Sequence, residues 1–178
     1  TILIGRIGAF EATPHPGLGY YRGAYVTPAT TAAQLPAGPD VVISAILEAT
    51  GKVLLVDDGR GGVSVPMARV GREGVQAALS ALIASVGVEA EAGSIYAVNE
   101  DPALGTQHIA VRCPAVAAEP RRGAFVDLSP EGVADVTDPA LRQMLQRLAE
   151  ESRVGNYGIY FGTHKQGHVQ RISEERTR

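Results

Sequence analysis

The feature that most constrains the fold is an apolar stripe of helical period in residues 74–86. Its apolar residues recur at intervals of three and four, which places them on one face of an α-helix; they are Val75, Ala78, Leu79, Leu82, Ile83 and Val86. Gly87 follows directly and predicts the end of the helix, because glycine readily forms a left-handed C-cap. The opposite face carries no charge between Glu73 and Glu89, whereas a solvent-facing helix usually does. We therefore expect both faces to be covered, by an N-terminal segment, a second subunit or both.

Apolar runs joined by short turns surround this helix and predict β-structure. Residues 41–47 and 52–56 flank a Thr-Gly turn, so we expect a β-hairpin. A short strand over residues 63–66 ends at a proline. Further strands are expected over residues 94–99, 107–113, 122–128, 157–161 and 168–172. The alternation of strands with helical segments predicts an α/β fold.

A second helix is predicted to begin at Asp138 and Pro139. Aspartate caps helix N-termini through its side-chain oxygen, and proline is favoured in the first turn. Leu141, Met144 and further leucines then recur at helical spacing. Gly155 predicts the end of this helix.

The domain organisation follows from a proline-containing connection. Residues 27–39 hold three prolines and no charge, which indicates an irregular segment. We interpret residues 1–40 as an N-terminal β extension that is too short to fold independently. Residues 41–172 form the main domain, and the charged residues 173–178 are expected to fray as a tail.

Composition excludes several classes of protein. Sixteen basic and nineteen acidic residues give a net charge of −3, which provides no electrostatic footprint for nucleic acid. No apolar run approaches the ~20 residues of a membrane span, and we find no signal peptide. The single cysteine, Cys113, excludes a disulfide within the chain and a cysteine-rich zinc site. We expect a cytoplasmic protein that binds a small molecule, but neither nucleic acid nor membrane, and that has no metal or cofactor; its arginine-rich, lysine-poor composition suggests a bacterial source.

The order of elements over residues 41–153 resembles the Nudix hydrolase fold. Segment 52–56 is similar to the second strand of that family, and segments 65–66 and 71–73 are similar to its proline-glycine turn and Gly-Glu step. Segment 82–88 resembles the end of the Nudix helix, and segment 125–128 matches the C-terminal half of the family. The resemblance implies a Nudix-like α/β/α sandwich with a mixed sheet, to which the N-terminal β extension is added.

The same resemblance argues against the usual reaction of that family. Nudix hydrolases place Arg-Glu and Glu-Glu pairs on the helix, where carboxylates one turn apart hold Mg²⁺ against a pyrophosphate. Counting back from Gly87, these pairs fall on Ser80-Ala81 and Ala84-Ser85. The Nudix box is therefore degenerate. One alternative is a residual hydrolase that uses displaced acidic residues, namely Glu73, Glu89, Glu91 or Glu100.

Five residues are candidates for ligand binding. His108 and Arg112 alternate onto one face of a strand, and in the Nudix fold the sheet face beside the helix bounds the ligand cavity. Tyr96, Tyr160 and Tyr20 fit the same site, because aromatic rings with a polar tip commonly line small-molecule pockets. The alternative is that the polar residues lie on the solvated outer face of a sheet.

Two further arrangements have simpler explanations. His108, His164 and His168 would suit Zn²⁺ or iron if they met, but a polar hairpin tip accounts for the last two. Cys113 would act as a nucleophile if paired with His108. Because five residues separate them on a strand, their side chains point to opposite faces, so we expect a buried, inert cysteine.

We therefore expect a Nudix-like protein that lacks Mg²⁺-dependent diphosphatase activity and binds a small metabolite in the former substrate cleft. The sequence identifies no catalytic residue. A metal-independent step, such as an isomerisation, a cyclisation or an elimination, is compatible with such a site. The alternative is a non-catalytic ligand-binding or regulatory module. A homodimer would account for the uncharged helix face.

Overall fold

The computed structural model describes residues 40–116, 118–165 and 168–176. These residues lie in the compact unit Pro39–Arg178. The N-terminal β extension, with Tyr20, lies outside the described residues apart from Asp40, where the first strand begins.

The described residues form one mixed nine-stranded sheet with a helix on each face. The strands are β1 (Asp40–Ala49), β2 (Lys52–Asp57), β3 (Val63–Ser64), β4 (Met67–Arg69), β5 (Ile95–Asp101), β6 (Thr106–Pro114), β7 (Ala124–Asp127), β8 (Gly158–Lys165) and β9 (His168–Arg176); the helices are α1 (Val75–Val86) and α2 (Pro139–Val154). The sheet runs β3-β2-β1-β6-β5-β8-β9, with β4 paired to β1 and β7 to β2. The β1–β6 and β5–β8 pairs are parallel. This arrangement confirms the predicted α/β/α sandwich.

Helix α1 covers one face of the sheet. Ala78, Leu79, Leu82, Ile83 and Val86 are buried, in a core that they share with alternate residues of β1 and β6. Gly87 ends the helix at φ 74°, and a Cβ there would lie 2.5 Å from Cγ of Arg121. The predicted helix and its C-cap are therefore confirmed.

The outer face of α1 is not covered by the described residues. The uncharged side chains of Gln76, Ala77, Ser80, Ala81, Ala84 and Ser85 are all exposed among them. Coverage by the N-terminal segment, by a second subunit or by both stays a prediction.

Helix α2 covers the opposite face. The Asp138 carboxylate accepts hydrogen bonds from the N–H groups of Ala140 (2.8 Å) and Leu141 (3.0 Å), as the capping pattern predicts. Leu141, Met144, Leu145 and Leu148 pack in the second core, against alternate residues of β1, β5 and β6; these include Ile46, Ala97 and Ala110. Neither described helix is long and apolar enough to cross a membrane.

Two strands differ from the sequence-based expectation. Strand β3 ends before Pro66, as predicted, but a further three-residue strand, β4, follows the proline and pairs with Val42, Ile43 and Ser44 of β1. Strand β9 continues to Arg176, so residues 173–176 are paired with β8 rather than frayed. Both segments acquire their structure from a neighbouring strand, which local patterns do not reveal.

Candidate functional site

A cavity of about 550 Å³ lies beside α1. Leu82 and Ser85 of this helix line it, and Ser85 is one of the two residues that the sequence resemblance assigns to the family's Glu-Glu position. The other walls come from β2, β3 and the loops that follow them, and from Arg122 and Thr137. The cavity thus combines apolar walls and hydroxyl groups with two arginines, Arg60 and Arg122, and three aspartates, Asp57, Asp58 and Asp138.

The loop between β2 and β3 shapes one side of this cavity. Asp58 Oδ1 accepts hydrogen bonds from the N–H groups of Arg60 (2.7 Å) and Gly62 (2.9 Å), and Asp57 Oδ1 accepts one from Gly59 (2.6 Å). The backbone bonds from Arg60 and Gly62 lower the pKa of Asp58, and a bond from Thr137 adds to the shift. These aspartates are therefore engaged in holding the loop.

The residues present do not fit the magnesium cluster of Nudix hydrolases. Helix α1 contains no acidic residue. Glu73 accepts a hydrogen bond from the Gly71 N–H, Glu89 and Glu91 are exposed, and Glu100 contacts Gln107. Among the described residues, no group of three or more His, Cys, Asp or Glu side chains is placed to hold a metal ion.

A groove along α2 and β8 provides a second candidate site, which we call the α2 groove. It consists of adjoining cavities of about 700 Å³ and 320 Å³ that share Gln143, Arg147 and Tyr160 in their walls. The Arg147 guanidinium carbon lies 4.1 Å from the centroid of the Tyr160 ring. Tyr160 is thus the one predicted ligand-binding residue that the structure places in the wall of a described cavity.

The Tyr160 ring packs against a second tyrosine, Tyr96, whose hydroxyl is hydrogen-bonded to a buried glutamate. The rings of Tyr96 and Tyr160 meet edge to face at 5.3 Å, and the Tyr96 hydroxyl donates a 2.9 Å hydrogen bond to Glu151 Oε2. Burial, followed by the carboxylate of Glu151, raises the pKa of Tyr96. Tyr96 is only 1% exposed, so it supports the groove rather than contacting a ligand. Glu151 Oε1 has no hydrogen-bond partner among the described residues.

Arg112 and His108 do not lie beside α1, contrary to the expectation. They share the α2 face of β6 with Ala110, whereas Val111 and Cys113 face α1. Arg112 donates hydrogen bonds to Glu48 and lies 3.7 Å above the Tyr157 ring. His108 Nε2 bonds to the hydroxyl of Ser44. Neither residue lines a described cavity, because both are engaged by neighbouring strands and loops.

The remaining candidates are also located. Cys113 is fully buried in the α1-side core, and burial raises the pKa of its thiol. It therefore lies on the face opposite to His108, as predicted. His108 is opposite Asn99, which is opposite Gly162 of β8, so a whole strand separates it from β8. The side chains of His164 and His168 lie outside those described.

Sequence reasoning missed Arg147 and Glu151. Glu151 follows the buried Leu148 by three residues, a spacing that places a charged side chain on the apolar stripe. This conflict is the local signal that could have identified it. Arg147 has no comparable signal, because its role depends on Tyr160 from another element. Arg122, which was not among the predicted ligand-binding residues, lies in the wall of the α1 cavity.

The sheet order and the two flanking helices define the class of the protein as Nudix-fold. The structure matches that of a Nudix hydrolase from Nitrosomonas europaea with a TM-score of 0.63 and 19% identity, over 73% of this chain and 81% of the other. It also matches an oxidoreductase candidate from Sinorhizobium meliloti with a TM-score of 0.53 and 28% identity, over 64% of this chain and 40% of the other. The first likeness concerns the fold alone.

Two sequence relatives are named for flavin-linked reduction rather than for Nudix hydrolysis. The chain is 34% identical over 174 residues to the reductase component of a flavin-dependent trigonelline monooxygenase from Acinetobacter baylyi. It is 33% identical over 177 residues to a protein from Rhizobium meliloti named probable flavin reductase. Each match covers 98% of this chain but 56% of the relative. No protein-family model matches the sequence.

Proposed function

We propose that this chain is a Nudix-fold module that binds a small anionic metabolite without hydrolysing it, and that it works as part of a flavin-reducing protein. The observation that carries the first half is the α1 cavity, which Ser85 lines; the count back from Gly87 assigns Ser85 to the Glu-Glu position of Nudix hydrolases. The names of the two sequence relatives support the second half. Because the chain spans 56% of those relatives, flavin reduction is proposed for the whole protein.

Two arginines in the wall of the α1 cavity suit the phosphate end of a nucleotide, because Arg60 and Arg122 supply positive charge and N–H donors. The carboxylates of Asp57, Asp58 and Asp138 also line the cavity, and each accepts hydrogen bonds from backbone N–H groups. Arg122 forms no ion pair with a described carboxylate, so its charge is available to a ligand. The side chains of Val63, Met67 and Leu82 offer an apolar surface for a ring.

The roles of these residues follow from their chemistry. The two guanidinium groups neutralise the ligand's charge and orient it by directional hydrogen bonds. Asp58 accepts a hydrogen bond from the Arg60 N–H, so the backbone that carries this arginine is held in place before a ligand arrives. Without the family's carboxylates, the cavity lacks the Mg²⁺-based chemistry that activates water against a diphosphate.

The test is titration calorimetry of the purified chain with FMN, NADH and ADP-ribose, combined with an assay for hydrolysis of each compound in Mg²⁺. We expect at least one compound to bind and none to be hydrolysed. Arg122→Gln should weaken binding about tenfold or more, whereas the control Lys52→Gln, at the exposed Asp127 pair, should not.

Hydrolysis that a chelator abolishes would contradict the proposal. Binding that is equal in Arg122→Gln and the parent would remove the α1 cavity as the site. Flavin reduction is measured separately, from NADH oxidation in the presence of FMN by the protein that contains this chain. Its absence would contradict only the second half of the proposal.

A further inference from the structure

The α2 groove contains a cation with no acidic partner. Arg147 lies at the junction of the two cavities and lines both. Among the described residues, no carboxylate lies within ion-pair distance of its guanidinium, and no acceptor takes a hydrogen bond from it. A partly buried guanidinium ordinarily acquires such partners, because desolvation penalises an unpaired charge.

The guanidinium is nevertheless held in place. Its face stacks on Tyr160 at 4.1 Å, which is the contact that cation–π attraction favours. The Tyr160 ring rests in turn on Tyr96, and the Tyr96 hydroxyl is tied to the buried Glu151. Because the five N–H donors of arginine lie in the plane of the group, stacking leaves its edge free for a planar acceptor.

The residues around Arg147 favour a carboxylate over a phosphate as the bound anion. The smaller cavity is lined mainly by short or apolar side chains, including Ala97, Ala140 and Met144. The larger cavity carries Glu150 and Glu151 as well as Arg153, so it offers no excess of positive charge to a phosphate dianion. A carboxylate matches the arginine fork with a single negative charge. The smaller cavity accommodates a ring beside it.

We propose that the α2 groove is a binding site for small aromatic carboxylates, in which the edge of Arg147 receives the carboxylate and the smaller cavity receives the ring. The site is distinct from the α1 cavity and does not depend on the proposed flavin-reducing role. The Tyr160 ring stacks on the Arg147 guanidinium and fixes its position. The contact with Tyr96, and the hydrogen bond from Tyr96 to Glu151, fix the Tyr160 ring in turn.

The test uses nicotinate and benzoate as probes, followed by ¹H–¹⁵N NMR or calorimetry of the full chain. Nicotinamide is the neutral isostere of nicotinate, and inorganic phosphate tests the competing anion. We expect both carboxylates to bind and nicotinamide to bind at least about tenfold more weakly, a difference of ~1.4 kcal/mol. NMR changes should map to α2 and β8.

Variants locate the binding to Arg147. Arg147→Gln should weaken nicotinate binding about tenfold or more, and Arg147→Lys, which keeps the charge but not the fork, should give an intermediate loss. The control Arg72→Gln makes the same charge change at an exposed residue and should bind like the parent. Circular dichroism of each variant confirms that it is folded.

Three outcomes would overturn the proposal. The first is equal binding of nicotinate and nicotinamide. The second is unchanged nicotinate binding in Arg147→Gln. If that variant does not fold, unchanged nicotinate binding in Arg147→Lys has the same meaning. The third is no binding of either carboxylate up to about 10 mM, whether or not phosphate binds. Failure of nucleotides to bind the α1 cavity would leave this site unaffected.

Discussion

Arg112 on β6 donates two hydrogen bonds to the carboxylate of Glu48 on β1, from Nε to Oε2 at 2.7 Å and from Nη2 to Oε1 at 3.1 Å. The two side chains are only 21% and 15% exposed. The Tyr157 ring lies against the guanidinium, so the pair is enclosed as well as bidentate. A residue that the sequence indicated as a ligand contact therefore joins two parallel strands.

Arg112→Ala should lower the free energy of unfolding by about 1–3 kcal/mol, because it leaves a partly buried carboxylate without its partner. Glu48→Gln should have an effect of similar size. The double variant should lose less than the sum of the two, with a coupling of about 1 kcal/mol or more. Urea unfolding of the four proteins measures this cycle. Additive losses would show that the pair is not coupled.

Tyr96 should make stability fall at alkaline pH. Its pKa is raised in the folded state, first by burial and then by Glu151, so its contribution is complete below the unfolded pKa of about 10 and is lost as pH rises above it. Tyr96→Phe should lower stability at pH 8 by about 1–3 kcal/mol and flatten the decline between about pH 9 and 11.

The control for this experiment is Tyr157→Phe, which leaves the Tyr96–Glu151 hydrogen bond in place. It should keep the steep alkaline decline of the parent in guanidinium unfolding measured over the same pH range. If Tyr96→Phe and Tyr157→Phe behave alike, the Tyr96 phenol is not the group responsible.

Cys113 should be inert in the folded protein. Its side chain is fully buried, and burial raises its pKa, so the reactive thiolate is disfavoured. Ellman's reagent should therefore react slowly with the native chain and release one equivalent in denaturant, since the sequence has a single cysteine. Rapid reaction of the native protein would contradict the buried position.

Ala84→Glu tests whether anything covers the outer face of α1. Ala84 is exposed among the described residues, so any cover must come from the N-terminal segment or from a second subunit. Because we expect such a cover, the substitution should destabilise the protein by several kcal/mol or dissociate an oligomer. The matched control Ala78→Glu, on the buried face of the same helix, should also destabilise it by several kcal/mol. A change of less than about 0.5 kcal/mol in the free energy of unfolding for Ala84→Glu, with no change in oligomeric state, would contradict the expected cover.

Local sequence patterns were sufficient to predict the helices and the hairpin whose formation depends on residues close together in the chain. Helix α1 follows from apolar spacing and a C-terminal glycine, and α2 from the Asp138 cap. The β1–β2 hairpin follows from two apolar runs around the Thr50-Gly51 turn. Each of these signals lies within a few residues of the chain, so the sequence by itself determined these elements, their order and the likeness to the Nudix fold. It also determined that α1 carries no carboxylate.

Only the tertiary structure decided which side chains meet. The alternation of residues along β6 separates its two faces in the sequence, but it does not show which face meets α1 and which meets α2. That assignment depends on the pairing of β6 with β1. The side-chain contacts Ser44–His108 and Glu48–Arg112 between these strands each join residues 64 positions apart. Arg147 and Tyr160 likewise come from different elements, helix α2, which packs on the sheet, and strand β8, which pairs with β5. Periodicity reports which side chains of one element share a face, whereas contacts between elements depend on strand order and packing. For that reason the sequence predicted Tyr160 as a ligand residue, and only the fold showed Arg147 above it.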